Sequence, residues 1–290
     1  MSSDGTARAD VLTVAGLALE LQTLLGDASP RRSHDIIAAL LDVPRFWPSS
    51  NARDAVAEGV CQEARVAVRK LRSGAPFAYA VGRATFRHLT LDVDERVLIP
   101  RPETEVLVDE VLRLTKGARG VAIDIGTGSG AIALSLASEG DFERVIATDV
   151  SMDALAVARR NASRLAGALR AEVEFRHGSL MCPVRGVQAT VVVSNPPYIS
   201  FAEAEALPVA VRDWEPALAL LSGAEGMAAT VEIIRCAADV LQPAGVLAVE
   251  VDTRRASLAA ELLAVDPRYR EVAVRLDLTG RERFVIARRA

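Results

Sequence analysis

The chain has 290 residues, half of them hydrophobic, with a formal net charge of −4 and a pI near 5.6. That length allows one large domain, or a large one with a smaller companion. The acidic balance argues against a protein that grips a long run of nucleic-acid backbone, so no stable nucleic-acid binding is expected. Cys61, Cys182 and Cys236 are widely separated and lack metal-ligand spacing with His34, His88 or His177. A reducing compartment and no metal are the expectation, with Cys182 and Cys236 as packing residues. Residues 1–10 carry no basic region followed by an apolar run, and no apolar stretch approaches membrane-spanning length. A soluble cytoplasmic protein without a membrane segment follows as an expectation.

Residues 9–72 read as helical. Leu12, Leu17, Leu21, Leu24 and Leu25 favour one face, and Ser33 is placed to cap a second helix through Ile36, Ile37, Leu40 and Leu41. A third helix is predicted from Asn51 or Ala52 to Leu71, exposing Arg65, Arg69, Lys70 and Arg72 as a solvated face or a partner-binding one. Ala84-Thr85-Phe86 and Leu89-Thr90-Leu91-Asp92-Val93 alternate as a hairpin turning at Arg87-His88. The run Ile99-Pro100-Arg101-Pro102-Glu103-Thr104-Glu105 starts a helix, with Pro102 in its first turn and acids where the helix dipole favours them. Only Arg101 is left over, as a candidate clamp for a carboxylate. From Val121 onward strands and helices alternate, with strands expected near 121–125, 145–149, 172–176, 190–194, 245–250, 270–276 and 283–287. Such alternation predicts an α/β fold with a mainly parallel seven-stranded sheet. The last two strands have only Leu278-Thr279-Gly280-Arg281 between them, which predicts an antiparallel C-terminal hairpin. The expected domains are a helical one over 1–82, a hairpin connector over 83–100, and the α/β domain over 101–290.

Two motifs carry chemistry. Val121-Ala122-Ile123-Asp124-Ile125-Gly126-Thr127-Gly128-Ser129-Gly130 runs from strand into glycine-rich turn. Its spacing lacks the third glycine of G-x-G-x-x-G, and Asp124 would repel a pyrophosphate but attract a ligand bearing an amino group or sulfonium. Asp149, at the end of the next strand, stands where a carboxylate accepts hydrogen bonds from a ribose diol. Together they favour S-adenosylmethionine over a dinucleotide.

The second motif is Val191-Val192-Val193-Ser194-Asn195-Pro196-Pro197-Tyr198, a buried strand that stops abruptly. Each proline fixes its own φ and holds the preceding residue extended. Prolines donate no N–H, so the strand end presents carbonyl oxygens and the Asn195 side chain. Such acceptors suit a neutral nitrogen carrying two hydrogens, which they orient and stabilise as positive charge grows during attack on carbon. Tyr198 adds an aromatic face for a planar amide or base. The nucleophile is therefore a side-chain amide or the exocyclic amine of a nucleobase.

Joined to Leu98-Ile99-Pro100-Arg101-Pro102-Glu103-Thr104-Glu105 and Trp214-Glu215-Pro216-Ala217-Leu218-Ala219-Leu220, these motifs resemble the protein-(glutamine-N5) methyltransferases of the HemK/PrmC family. The similarity runs from about Pro76 to Arg283. It implies a class I S-adenosylmethionine-dependent methyltransferase fold behind a helical, substrate-engaging N-terminal domain. It further implies methylation of the glutamine of the Gly-Gly-Gln motif in peptide-chain release factors, with S-adenosylhomocysteine as product and a monomeric enzyme. By the same resemblance Asp124, Gly126, Thr127, Gly128, Ser129, Gly130, Asp149, Leu180 and Asn195 contact the cofactor. Asn195, Pro196, Pro197, Tyr198, Arg101 and Glu103 hold the substrate, and Asn195, Pro196 and Tyr198 carry the reaction. Two stretches depart from the family: Ser179-Leu180 where relatives often have Asp-Trp, and Glu250-Val251-Asp252-Thr253-Arg254-Arg255 where they often have Glu-x-Gly-x-x-Gln.

Overall fold

The computed structural model describes residues 12–27 and 29–290. The chain divides after Arg83 into two compact units.

In the first unit, helices Val14–Leu25, Pro30–Leu41 and Glu58–Arg72 pack with the short helix Phe77–Val81. Leu17, Leu21, Ile36, Ile37, Cys61, Ala64 and Val68 meet in one core. The start expected near residue 9 lies outside the described residues, within which Thr13 caps the first helix. Ser29, not Ser33, caps the second, because Pro30 takes the first helical position and Ser33 is buried one turn in. The third helix starts at Glu58 rather than near 51, since residues 51–54 turn and the Val14 and Val56 N–H groups donate to the Asp54 and Leu12 carbonyls, tying Ala55 to Thr13 as a bridge. Its basic run is partly engaged within the unit. Arg65 pairs with Glu20 at 2.6 Å and Lys70 donates to the Tyr79 carbonyl at 3.2 Å.

The second unit opens inside a hairpin, whose strand β1 (Arg83–Phe86) starts with the last residue of the first unit and is followed by β2 (Leu89–Asp92). The other strands are β3 (Val121–Ile125), β4 (Arg144–Asp149), β5 (Glu172–His177), β6 (Ala189–Ser194), β7 (Leu241–Glu250), β8 (Tyr269–Leu276) and β9 (Glu282–Arg289). They form one seven-stranded sheet ordered β5-β4-β3-β6-β7-β9-β8, in which only β9 and its neighbours pair antiparallel. The expected mainly parallel sheet with an antiparallel end is what forms.

Because side chains alternate across a strand, each strand feeds two cores. Val191 and Val193 meet Leu107, Val108, Leu134 and Leu136 on one face, while Val192 meets Ile233, Ile234, Ala259 and Leu263 on the other. This explains why the central strands read as continuous apolar runs: both faces are covered. Cys61 is buried and Cys236 half-buried, but Cys182 is exposed and packs nowhere, because it opens a one-turn helix on the surface. Among the described residues no helix is long and apolar enough to cross a membrane.

Register decides what gathers at the sheet's carboxyl edge. Ile125 pairs with Thr148 on one side and Ser194 on the other, and Ser194 pairs with Val249. One residue further along the four strands stand Gly126, Asp149, Asn195 and Glu250. Strand order reverses between β3 and β6, the place where open α/β sheets bind ligands.

The hairpin is anchored by Arg87, which sits at φ 53° in its turn. Its guanidinium grips Glu139 with two bonds of 2.7 and 2.8 Å, and pairs with Asp109 at 2.7 Å. Only 10% of the Arg87 side chain is exposed, so these charge-assisted bonds are poorly screened. Arg87→Ala should cost about 2 kcal/mol of stability, read as a lower urea midpoint. Arg119→Ala, which removes an exposed pair with Glu143, should cost less than about 0.5 kcal/mol. Equal midpoint shifts would reject the anchoring role.

Candidate active site

The turn after β3 is held by its own backbone. Gly126 and Thr127 N–H donate to the Thr148 carbonyl at 2.9 and 2.8 Å, and Gly128 N–H donates to Asp149 Oδ2 at 2.9 Å. Gly126 and Gly128 lie at φ 74° and 55°, and a Cβ on either would meet no protein atom within 4 Å. Open space therefore lies against a bare backbone at both positions. Gly130 differs, because a Cβ there would press on Leu134 and Ala158, so its glycine serves helix packing. Asn161, buried in the helix Met152–Arg164, donates to the Ser129 carbonyl at 2.9 Å and fixes the far side of the turn.

A cleft of about 430 Å³ opens beside this turn. Gly126, Gly128, Asp149, Ser179, Leu180, Asn195 and Pro197 border it, with Leu98, Val150, Leu218 and Ala229 supplying apolar surface. Asp124, Thr127, Ser129 and Gly130 do not border it. Asp124 is fully buried, accepting from the Thr127 hydroxyl at 2.7 Å and Ala133 N–H at 3.2 Å through the same oxygen. Its other oxygen has no partner, and burial pushes its pKa up to about 7. Asp149 is raised too, first by burial, against the Ser151 and Gly128 N–H groups that favour its charge.

Asn195 is shared with a second, smaller cavity of about 180 Å³, bordered also by Leu98, Arg101, Pro196, Tyr198, Leu207 and Leu220. Pro196 and Tyr198 face this cavity while Pro197 faces the larger cleft, as the extended backbone of the double proline dictates. The Asn195 amide donates from Nδ2 to the Thr104 hydroxyl at 3.0 Å, and Thr104 donates to Glu250 Oε2 at 2.7 Å. Burial raises Glu250 to about 7 and Tyr198 to about 12, the Glu250 charge adding to the latter. Among the described residues nothing donates to Asn195 Oδ1 or to the Asn195 and Pro196 carbonyl oxygens. They form the acceptor-rich strand end.

Arg101 is not a free clamp. It pairs with Glu215 at 2.6 Å, a carboxylate whose side chain is 1% exposed and supplied by the Trp214-Glu215-Pro216 run. The internal acid satisfies the cation, which still borders the smaller cavity. Glu103 is half-buried in the first turn of Pro102–Leu114 and borders neither cavity. Thr104, Asn161, Glu215 and Glu250 were not singled out by sequence reasoning. The available signals were the runs that contain Thr104, Glu215 and Glu250, namely residues 98–105, 214–220 and 250–255, none of which assigned these three a role. Among the described residues no group of three or more His, Cys, Asp or Glu is placed to hold a metal ion.

This sheet and its carboxyl-edge cleft define a class I methyltransferase fold, and residues 102–212 match the methyltransferase small domain model. Solved structures of the same fold include a methyltransferase from Pyrococcus furiosus, with TM-score 0.51 and 21% identity over 79% of this chain and 97% of that one. The hMettl16 catalytic domain in complex with MAT2A 3′UTR hairpin 6 aligns with TM-score 0.56 and 16% identity, over 80% of this chain and 81% of that one. The chain belongs to the release factor glutamine methyltransferase family. It is 40% identical to the member from Moorella thermoacetica over 93% of this chain and 91% of that one, and 35% identical to the member from Rhodopirellula baltica over 91% of each.

The Asp124 carboxyl gives a linkage whose sign is fixed. Its folded pKa of about 7 lies above the ordinary 3.8, so its contribution to stability is fully present below about 4 and is lost as pH rises through 7. Asp124→Asn cannot ionise, so its melting temperature should fall less than that of the wild type between about pH 5 and pH 8. Parallel melting curves for the two proteins would show that Asp124 does not titrate in this range.

Proposed function

We propose that the protein transfers a methyl group from S-adenosylmethionine to the side-chain nitrogen of the glutamine in the Gly-Gly-Gln motif of peptide-chain release factors. Supporting this reading above all is the position of Asn195, an oriented acceptor on the wall between two cavities. The family to which the chain belongs supplies the substrate. The N-terminal unit is the substrate-engaging one, and the enzyme works as a cytoplasmic monomer.

The larger cleft suits the cofactor. Its bare backbone at Gly126 and Gly128 admits a ligand closely, and the Asp149 carboxylate borders it with acceptor capacity beyond its two backbone bonds. Its volume falls within the range of small-molecule sites, roughly 300–1,000 Å³, whereas the smaller cavity falls below that range and suits one side chain. The cofactor supplies an electrophilic methyl on sulfur. The residues of this chain do the rest by holding the amide nitrogen in line. Asn195 Oδ1 and the Asn195 or Pro196 carbonyl accept its two hydrogens, which turns the lone pair away from the acceptors and stabilises the charge that grows on nitrogen. Tyr198 stays a neutral phenol at physiological pH and offers its ring to the amide plane. The apolar walls exclude water that would compete for the same acceptors.

Incubation with a release factor and S-adenosylmethionine, followed by peptide mass spectrometry, should place one methyl on the Gly-Gly-Gln glutamine. Label on nucleic acid or on another protein would replace the substrate, and no transfer at all would remove the catalytic reading. Asn195→Ala should lower kcat by about 10² to 10³ while leaving cofactor affinity nearly unchanged. Asp149→Ala should weaken cofactor binding by about 1 to 3 kcal/mol in calorimetry.

A further inference from the structure

We infer that Thr104 and Glu250 are positioning residues that set which end of the Asn195 amide meets the substrate. The inference rests on the methyl-transfer reading above and deepens it. An asparagine amide is nearly symmetric in shape but opposite in hydrogen-bonding character at its two ends. A nitrogen nucleophile needs the carbonyl end, and a wrongly turned amide would present a donor to a donor.

The hydrogen-bond chain decides between the two. Glu250 stands on the same rung as Asn195, one strand over, and its side chain is sealed at 1% exposure. An ionised carboxylate only accepts, so Thr104 donates to it at 2.7 Å. The Thr104 oxygen then has only acceptor capacity left, and Asn195 must turn Nδ2 toward it, as found at 3.0 Å. Oδ1 is thereby left for the substrate. Thr104 is buried in the first turn of Pro102–Leu114, so its hydroxyl has no water to turn to instead. The rigid double proline prevents Asn195 from adjusting its backbone.

The same chain makes the orientation depend on a proton. A protonated Glu250 can donate to Thr104, which then donates to Asn195 Oδ1 and reverses the amide. The groups facing Glu250 are Thr104 and Glu103 on the helix, Tyr198 beyond β6 and Arg283 on β9. Arg283 and the Thr104 and Tyr198 hydroxyls favour its charge, while burial and Glu103 oppose it, leaving the pKa at about 7. Transfer should therefore rise with pH through neutrality and level off above it. Asp124 titrates in the same range but lies in the other hydrogen-bond set, with Thr127 and Ala133.

The test reads the amide directly. The sequence has three asparagines, Asn51, Asn161 and Asn195, so protein labelled with ¹⁵N-asparagine shows three side-chain amide pairs. In the wild type the Asn195 pair should shift with a midpoint near pH 7. Glu250→Gln, which keeps a carbonyl acceptor for Thr104 but cannot ionise, should abolish that shift and the acid limb of the rate profile together. Thr104→Val should lower kcat by about tenfold or more with S-adenosylmethionine affinity unchanged, and Thr104→Ser should recover most of it. Wild-type kcat in Thr104→Val would overturn the inference. So would joint loss of turnover and cofactor affinity that serine does not restore, since that marks a merely structural hydroxyl. An Asn195 pair insensitive to pH and to Thr104→Val would overturn it whatever the substrate is. If the pair behaves as described but no release factor is methylated, the positioning stands and the functional reading falls.

Discussion

Parallel pairing of β6 beside β3 is the constraint on which the rest depends. It brings residues distant in sequence onto one rung, with Gly126, Asp149, Asn195 and Glu250 each one step past the rung that joins Ile125, Thr148, Ser194 and Val249. A slip of one residue in β6 would send Val193 out of its core and turn Asn195 to the other face of the sheet. The three consecutive valines are interchangeable between the two covered faces, so the register is held by the polar residues that flank them: the Ser194 hydroxyl donates to the Ile125 carbonyl at 2.7 Å and the Thr190 hydroxyl to the Arg119 carbonyl at 2.8 Å, bonds that a slip would break.

The site concentrates buried acids in a way that the apolar core alone would not tolerate. Asp124, Glu215 and Glu250 are all nearly or wholly inaccessible. Glu215 has Arg101 as a direct partner, whereas Asp124 and Glu250 rely on hydroxyl and N–H donors and are pushed to about 7. Desolvation outweighs the hydrogen bonds in both. Groups that destabilise the fold at neutral pH sit where a turn must be held bare and an amide must be held in one orientation, which is a functional placement rather than a stabilising one.

The sequence made the frame readable and hid the support. Alternating strands and helices, the hairpin at Arg87 and the antiparallel end are local patterns, and they stand in the structure within a few residues of where periodicity put them. The double proline after Asn195 announced an extended acceptor-rich edge for the same local reason. Thr104 and Glu250 lie in marked stretches, but their pairing carries no such signal, because 146 residues separate them and only the sheet register brings them together. Arg101 misled for a related reason: a lone cation beside two prolines looks free until a carboxylate 114 residues away arrives to neutralise it. Gly130 looked like its two neighbours, yet only side-chain packing against Leu134 and Ala158 tells its purpose from theirs.

The loop that follows β7 has a charge logic of its own. Arg254 and Arg255 both reach Glu203, at 2.5 and 2.8 Å, and Arg255 also pairs with Asp252 at 3.3 Å. Glu203 in turn caps the six-residue 3₁₀ helix Phe201–Ala206 through the Ser200 N–H and hydroxyl, and these donors with Arg255 hold it down at a pKa of about 2. The Arg255 side chain is 11% exposed, so this contact is screened far less than an ordinary surface pair. Arg255 also donates to the Glu225 carbonyl beside Gly226, where any Cβ would collide with the Tyr198 carbonyl. Residues 199–229 thus leave the double proline, border both cavities, and are tied at two points to the end of β7. The arginine clamp fixes the walls of the site from the end of the same strand that supplies Glu250.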